Sequence, residues 1–188
     1  MRHVRELVRV PIFAMIRPRA GNFVYSSEEI AQMHSGIEAV KRARMDGIVL
    51  GVLTAERHVD VERTRELVKL AEPLPVTFHR AFDEVADLDT ALEAVIETGA
   101  ARILTSGGAP TAPQGLAALA KLVAAAGNRI RIVPGSGVNS SNILEVVQRT
   151  QAREFHSGLG TRIPYGSGNG ALFEDEVRKM VHLLAGRA

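Results

Sequence analysis

Six apolar, strand-like runs begin near Ile12, Gly47, Val76, Arg102, Ile130 and Arg153, at steps of 35, 29, 26, 28 and 23 residues. A parallel strand with its loop, helix and return loop takes roughly 30 residues. The spacing therefore dictates a βα repeat, an α/β chain whose strands run parallel. Each run closes on a polar or glycine-rich turn, and folds of this kind gather their chemistry at the strand C-termini. The closed barrel built from this unit has eight repeats in about 250 residues. This chain has six runs in 188 residues.

The segments between the runs read as helices. Ser26 or Ser27 caps one with Glu28 and Glu29 in its first turn, and Ile30, Met33, Ile37 and Val40 form its buried stripe. Asp60 caps the next, and Gly99 ends the one that carries Leu88, Leu92, Val95 and Ile96. An alanine-rich helix spans Leu116 to Ala126, another spans Asn142 to Arg149, and a last one carries Phe173, Val177, Met180 and Leu184. The opening residues, with Val4, Leu7 and Val8 at helical spacing before Pro11, read as the end of a helix. Gly47 to Leu53 is almost wholly apolar, the pattern of a strand covered on both faces. The Gly/Ser-rich stretch from Tyr165 to Gly170 reads as mobile. No composition break divides the chain, so a single domain over residues 1–188 is expected.

Composition narrows the function. A net charge of +2 with dispersed Lys and Arg, and no Trp among few aromatics, gives no footprint for nucleic acid. No apolar run approaches the roughly 20 residues of a membrane span. The chain has no Cys, which rules out disulfides and thiolate ligands and suits the cytoplasm. Six parallel strands that do not close leave sheet edges, to be covered by a second copy of the chain, which would make a homo-oligomer, or by the N-terminal helix.

Candidate site residues fall at the strand ends. Thr77-Phe78-His79 and Glu154-Phe155-His156 share a polar–Phe–His pattern, and alternation puts each His on the face opposite its Phe. His79 and His156 pointing inward can hold a metal ion or act as acid and base near neutral pH, and each can equally be a hydrogen-bonded core residue. Arg17 ends the first run and can clamp a carboxylate or phosphate. Arg80 ends the third, where it can also pair with Asp83. Asp83 is a candidate base or metal carboxylate, or a helix N-terminal acid. Gly135-Ser136-Gly137 after the fifth run, Ser157-Gly158 after the sixth and Thr105-Ser106-Gly107 after the fourth are candidate anion-holding turns, or simply tight βα turns. The methionines, Met15, Met33, Met45 and Met180 among them, are scattered as core fillers are.

The runs Ile16-Arg17-Pro18-Arg19 with Gly21-Asn22-Phe23, Gly47 to Leu53, Val76-Thr-Phe-His-Arg-Ala-Phe-Asp83, Arg102 to Gly107 and Gly135 to Val138 resemble the CutC family of copper homeostasis proteins. The resemblance runs from about Val8 to about Gly160. It implies a cytoplasmic TIM-like (β/α) barrel, here incomplete, whose six βα units correspond to units three to eight. It also implies copper handling or Cu(I) binding. Without Cys, such a site would rest on His and Met, with His79 and His156 as ligands.

Three readings follow. One is a CutC-like copper protein. A second is an enzyme acting on a small anionic or phosphorylated metabolite, held by Arg17 and the Gly135–Gly137 turn with His79 or His156 moving protons. A third is a truncated, inactive barrel.

Overall fold

The computed structural model describes residues 2–159, 163 and 168–186. The Tyr165-Gly-Ser167 part of the Gly/Ser-rich stretch lies outside the described residues. The chain forms two compact units. The first holds Met1–Leu104 with Asn128–Ile130, and the second holds Thr105–Gly127 with Arg131–Ala188.

In the first unit, α1 (Arg2–Leu7) precedes β1 (Phe13–Met15), α2 (Ser27–Arg42), β2 (Gly47–Leu50), α3 (Val61–Ala71), β3 (Val76–Phe78), a 3-10 turn (Arg80–Glu84), α4 (Leu88–Thr98) and β4 (Arg102–Thr105). β1 pairs with β2, β2 with β3 and β3 with β4, all parallel. The βα spacing thus becomes a sheet whose strand order follows the chain. Ile48, Leu50, Val76, Phe78 and Ile103 of the sheet are buried with Met33 and Ile37 of α2, Leu67 of α3, and Leu92 and Val95 of α4. Each such side chain contributes about 1.5–3 kcal/mol by leaving water.

Helix ends are fixed where the sequence marks them. Ser26 and Glu29 form a reciprocal capping box at the start of α2. Asp60 and Asp87 cap α3 and α4 by accepting from Arg63 and Thr90 amides. Gly99 closes α4 in the left-handed region.

The second unit begins at Thr105, the last residue of β4, whose carbonyl accepts from Gly135 N at 2.9 Å. It holds α5 (Leu116–Ala126), β5 (Arg131–Pro134), α6 (Ile143–Thr150) and α7 (Gly170–Ala185). Leu119, Leu122, Ile132, Ile143, Val146 and Met180 are buried in it.

One expected strand is absent. Residues Arg153 to His156 form no ladder, and the backbone bond recorded there runs from His156 N to Pro134 O at 2.9 Å. The described residues thus carry five strands where six were expected. A charged four-residue segment, with Arg153 and His156 exposed, has too little apolar surface to hold a longer pairing. The second run is also shorter than expected. It stops at Leu50, and Leu53 instead bridges antiparallel to Val59. Asp83 and Glu84 lie in the 3-10 turn.

Candidate functional site

The polar cluster of the first unit grows out of three consecutive strand ends. After β1, Ile16 N still donates to Val49 O at 2.8 Å, and the chain then leaves the sheet at Arg17. The loop from Arg17 to Tyr25 is held from several sides. Arg19 donates to Glu29 Oε1 at 2.5 Å, to Asn22 O at 3.0 Å and to Val24 O at 2.7 Å. Leu53 N donates to Phe23 O at 2.9 Å, and Arg63 donates to Tyr25 O at 3.1 Å. The loop backbone is therefore fixed, and its side chains are presented from a rigid frame.

Within that frame Arg17, Phe23 and His79 meet. The Arg17 guanidinium lies 4.6 Å from the Phe23 ring centre, a cation–π contact, and Arg17 donates to Gly21 O at 2.7 Å. The Phe23 ring also meets the His79 imidazole, with centroids 4.8 Å apart and planes tilted by 54°. Room for that imidazole comes from Gly51, just past β2. A Cβ at Gly51 would stand 2.6 Å from His79 Nδ1.

His79 is 3% exposed. Its backbone N donates to Leu50 O at 2.8 Å, extending the β2–β3 pairing. Nδ1 accepts from Ala81 N at 3.2 Å, at the start of the 3-10 turn. Nε2 is buried and has no hydrogen-bond partner among the described residues. Burial, with the Arg17 charge adding to it, pushes the His79 pKa down to about 4. The ring is neutral at physiological pH. Because Nδ1 is an acceptor, the proton of the neutral ring resides on Nε2.

Tyr25, also 3% exposed, completes the cluster. Its hydroxyl lies beside Arg17 but makes no hydrogen bond of proper geometry among the described residues. Burial raises its pKa against the pull of Arg17, so it is a neutral O–H. The cluster therefore offers one cation and two buried, unpartnered donors.

Such a set suits an anion or an acceptor oxygen, not a cation. The fit to a cuprous ion at His79 is poor, because the lone pair at Nδ1 is used by Ala81, Nε2 carries hydrogen, and Arg17 is adjacent. Among the described residues no group of three or more His, Cys, Asp or Glu could hold a metal ion. Asp83 is placed apart in function, since it pairs with Arg80 at 2.7 Å with its side chain 6% exposed, tying the 3-10 turn together.

The remaining expected site residues lie in the second unit. Their polar groups are largely spent on one another. Gly107 N donates to Thr105 Oγ1 at 2.8 Å, Ser106 Oγ to Ala109 O, and Ser136 Oγ to Pro110 O at 3.0 Å. Ser157 Oγ donates to Val138 O at 2.5 Å, and Gly137 O accepts from both Asn139 and Asn142. Gly107, Gly108, Ser136 and Gly137 all have positive φ. For Ser136 this is a costly conformation, held by its two bonds to the 110–112 segment. These bonds brace the turns as βα connections. Gly158 belongs to the same turn as Ser157. His156 is exposed, though enough protein surrounds its ring to lower its pKa through desolvation.

Sequence reasoning alone missed Phe23, Tyr25 and Gly51 as parts of the cluster. Two aromatics at alternate positions in a loop between a strand and a capped helix were the available signal for Phe23 and Tyr25. Nothing in the sequence separates Gly51 from any other glycine.

Comparison with known proteins agrees with this fold. The CutC family model matches residues 1–161. A CutC family protein of Vibrio campbellii is 49% identical over 156 residues, which cover 81% of this chain and 63% of the relative. The human copper homeostasis protein cutC homolog is 42% identical over 160 residues, covering 85% of this chain and 59% of that protein. The chain thus spans less than two thirds of the length of these two relatives. The crystal structure of CutC from Streptococcus agalactiae superposes with a TM-score of 0.79 at 31% identity, covering 83% of this chain and 78% of that one. An aldolase at 18% identity and a TM-score of 0.66 shares the fold alone. The architecture is that of a TIM-like α/β barrel protein. On the family match over residues 1–161 and the identity to these relatives, the chain belongs to the CutC family.

Proposed function

We propose that this chain binds a small anionic metabolite at the strand ends of its first unit and acts on it there as an enzyme. The observation that carries the reading is His79 Nε2, buried and without a hydrogen-bond partner among the described residues, on a ring that shares its contact with Phe23 with the Arg17 guanidinium. A buried polar group without a partner costs about 1–3 kcal/mol, and a ligand oxygen would recover that cost. Arg17 supplies the charge that selects an anion, and the Tyr25 hydroxyl supplies a further donor. The position at the C-terminal ends of β1, β2 and β3 is where folds of this class place their chemistry. The lack of Cys suits a reducing compartment such as the cytoplasm.

A role in copper homeostasis is the second reading. It is favoured by the name of the mouse and human relatives, each called a copper homeostasis protein cutC homolog.

Thermal denaturation with a panel of small carboxylates and phosphates tests the first reading against the second. Bound ligand raises the melting temperature by mass action. The expected result is a rise with one or more anions that is lost in Arg17→Met. No rise with any anion, together with stoichiometric Cu(I) binding that His79→Ala abolishes, would reverse the order of the two readings.

A further inference from the structure

Resting on that reading, the geometry points to a narrower ligand. We infer that the site takes a small carboxylate whose neighbouring carbon bears a carbonyl oxygen, that is, a 2-oxo acid. The carboxylate lies on Arg17, and the oxo oxygen accepts from His79 Nε2–H once the Phe23 side chain has swung aside.

The two donors differ in kind. Arg17 is exposed and cationic, a planar fork matched to a carboxylate. His79 is buried and neutral, with a single N–H to give. A buried neutral donor matches an uncharged acceptor, because a second charge placed there would lose its hydration against only one hydrogen bond. A neutral imidazole held by a backbone N–H at its other nitrogen is an electrophile that polarises a carbonyl, and its low pKa keeps it from becoming imidazolium. Tyr25 O–H, beside Arg17, is placed as an additional donor to the same ligand.

Phe23 touches both. Its ring is in contact with the guanidinium at 4.6 Å and with the imidazole at 4.8 Å, and the residue is only 6% exposed. The space that a phenyl ring vacates on rotation admits a flat molecule of a few heavy atoms, and a planar 2-oxo acid is such a molecule. The Phe23 carbonyl is bonded to Leu53 N, and Arg19 bonds the backbone on both sides of it. Access therefore needs rotation of one side chain, not movement of the loop.

The test compares pyruvate with propionate, which keeps the carboxylate and lacks the oxo oxygen, by calorimetric titration of the whole chain. A site built to bond that oxygen should favour pyruvate by about tenfold or more. His79→Phe should abolish the preference while leaving weak binding of both, and Phe23→Ala should speed association. Equal binding of the two acids overturns this inference and leaves the anion site standing; binding of neither also overturns it, and the anion reading then stands or falls on the carboxylate and phosphate panel. Should His79→Phe not fold, the imidazole nitrogen resonances of the unaltered chain still decide the matter. An Nε2–H neutral ring at pH 7 whose Nε2 proton shifts on adding pyruvate supports the inference. An Nδ1–H ring, an imidazolium or an unmoved Nε2 proton overturns it.

Discussion

The Ala81 amide donates to Nδ1 of His79 at 3.2 Å, so a backbone group two residues along the chain decides which imidazole nitrogen keeps the proton. The same bond ties the end of β3 to the 3-10 turn that follows it. Local backbone structure thus sets the chemistry of the side chain, and the wider barrel needs only to bury it.

Acid should destabilise the fold through this residue. The His79 pKa falls from 6.5 to about 4 on folding. Between those values the unfolded chain binds more protons, so stability rises with pH across the window and is lost as pH drops from 6.5 to 4. The full contribution, present above pH 6.5, is on the order of 3 kcal/mol at 1.36 kcal/mol per pH unit. His156, also lowered by desolvation, acts with the same sign. Urea denaturation at a series of pH values should show this loss, and His79→Phe should remove the larger part of it. An unchanged slope in that variant would contradict the assignment.

Gly51→Ala should disturb the site without removing any polar group. The new Cβ would stand 2.6 Å from His79 Nδ1 and 2.7 Å from Cε1, so the ring must shift and the Ala81 bond is strained or lost. A cost of about 1–3 kcal/mol is expected from overpacking of this kind. Denaturation gives the cost, and the imidazole proton resonance reports whether the ring has moved.

Arg17→Met separates binding from stability. Arg17 is exposed, with one bond to Gly21 O and its contact on Phe23. Removing it should change stability by about 1 kcal/mol or less, while anion affinity falls about tenfold or more, as for loss of a charge-assisted bond. Parallel melting curves with and without ligand check both halves.

In the second unit, Glu176 of α7 is 9% exposed and accepts from Ser140 N at 2.8 Å and from Ser140 Oγ at 2.9 Å. Glu176→Ala leaves both donors short of an acceptor and should cost about 1–3 kcal/mol. Glu176→Gln, which retains one acceptor oxygen, should cost less. Hydrogen exchange along α7 should accelerate in the order unaltered chain, Gln, Ala. Equal protection in all three would show that apolar contacts such as those of Met180 dock the helix unaided.

The strands and caps of the first unit were legible because their signals are local. The apolar run at Gly47, the Ser26–Glu29 box and Gly99 each act within one element. The segment Arg153–His156 misled because polar–Phe–His alternation resembles Thr77–His79, yet at Thr77 all three side chains are buried, while Arg153 and His156 stay exposed. The Gly135–Gly137 turn can be read from sequence as an anion cradle or as a tight turn, because sequence does not show which groups a turn already uses; Ser136 Oγ and Gly137 O bond within their own unit. His79 stood out in the sequence, but its proton is placed by Ala81 and its space by Gly51. Both are contacts between main chain and ring that composition does not encode.

Arg17 and Arg19, two residues apart, divide their work. Arg19 ties the loop carbonyls at Asn22 and Val24 to Glu29, the residue that also closes the α2 capping box. The scaffold under positions 17, 23 and 25 is thereby insulated from what those side chains are. On the proposed reading, ligand preference can drift one side chain at a time, with substitutions at the three positions altering what is recognised while the entry to α2 stays intact.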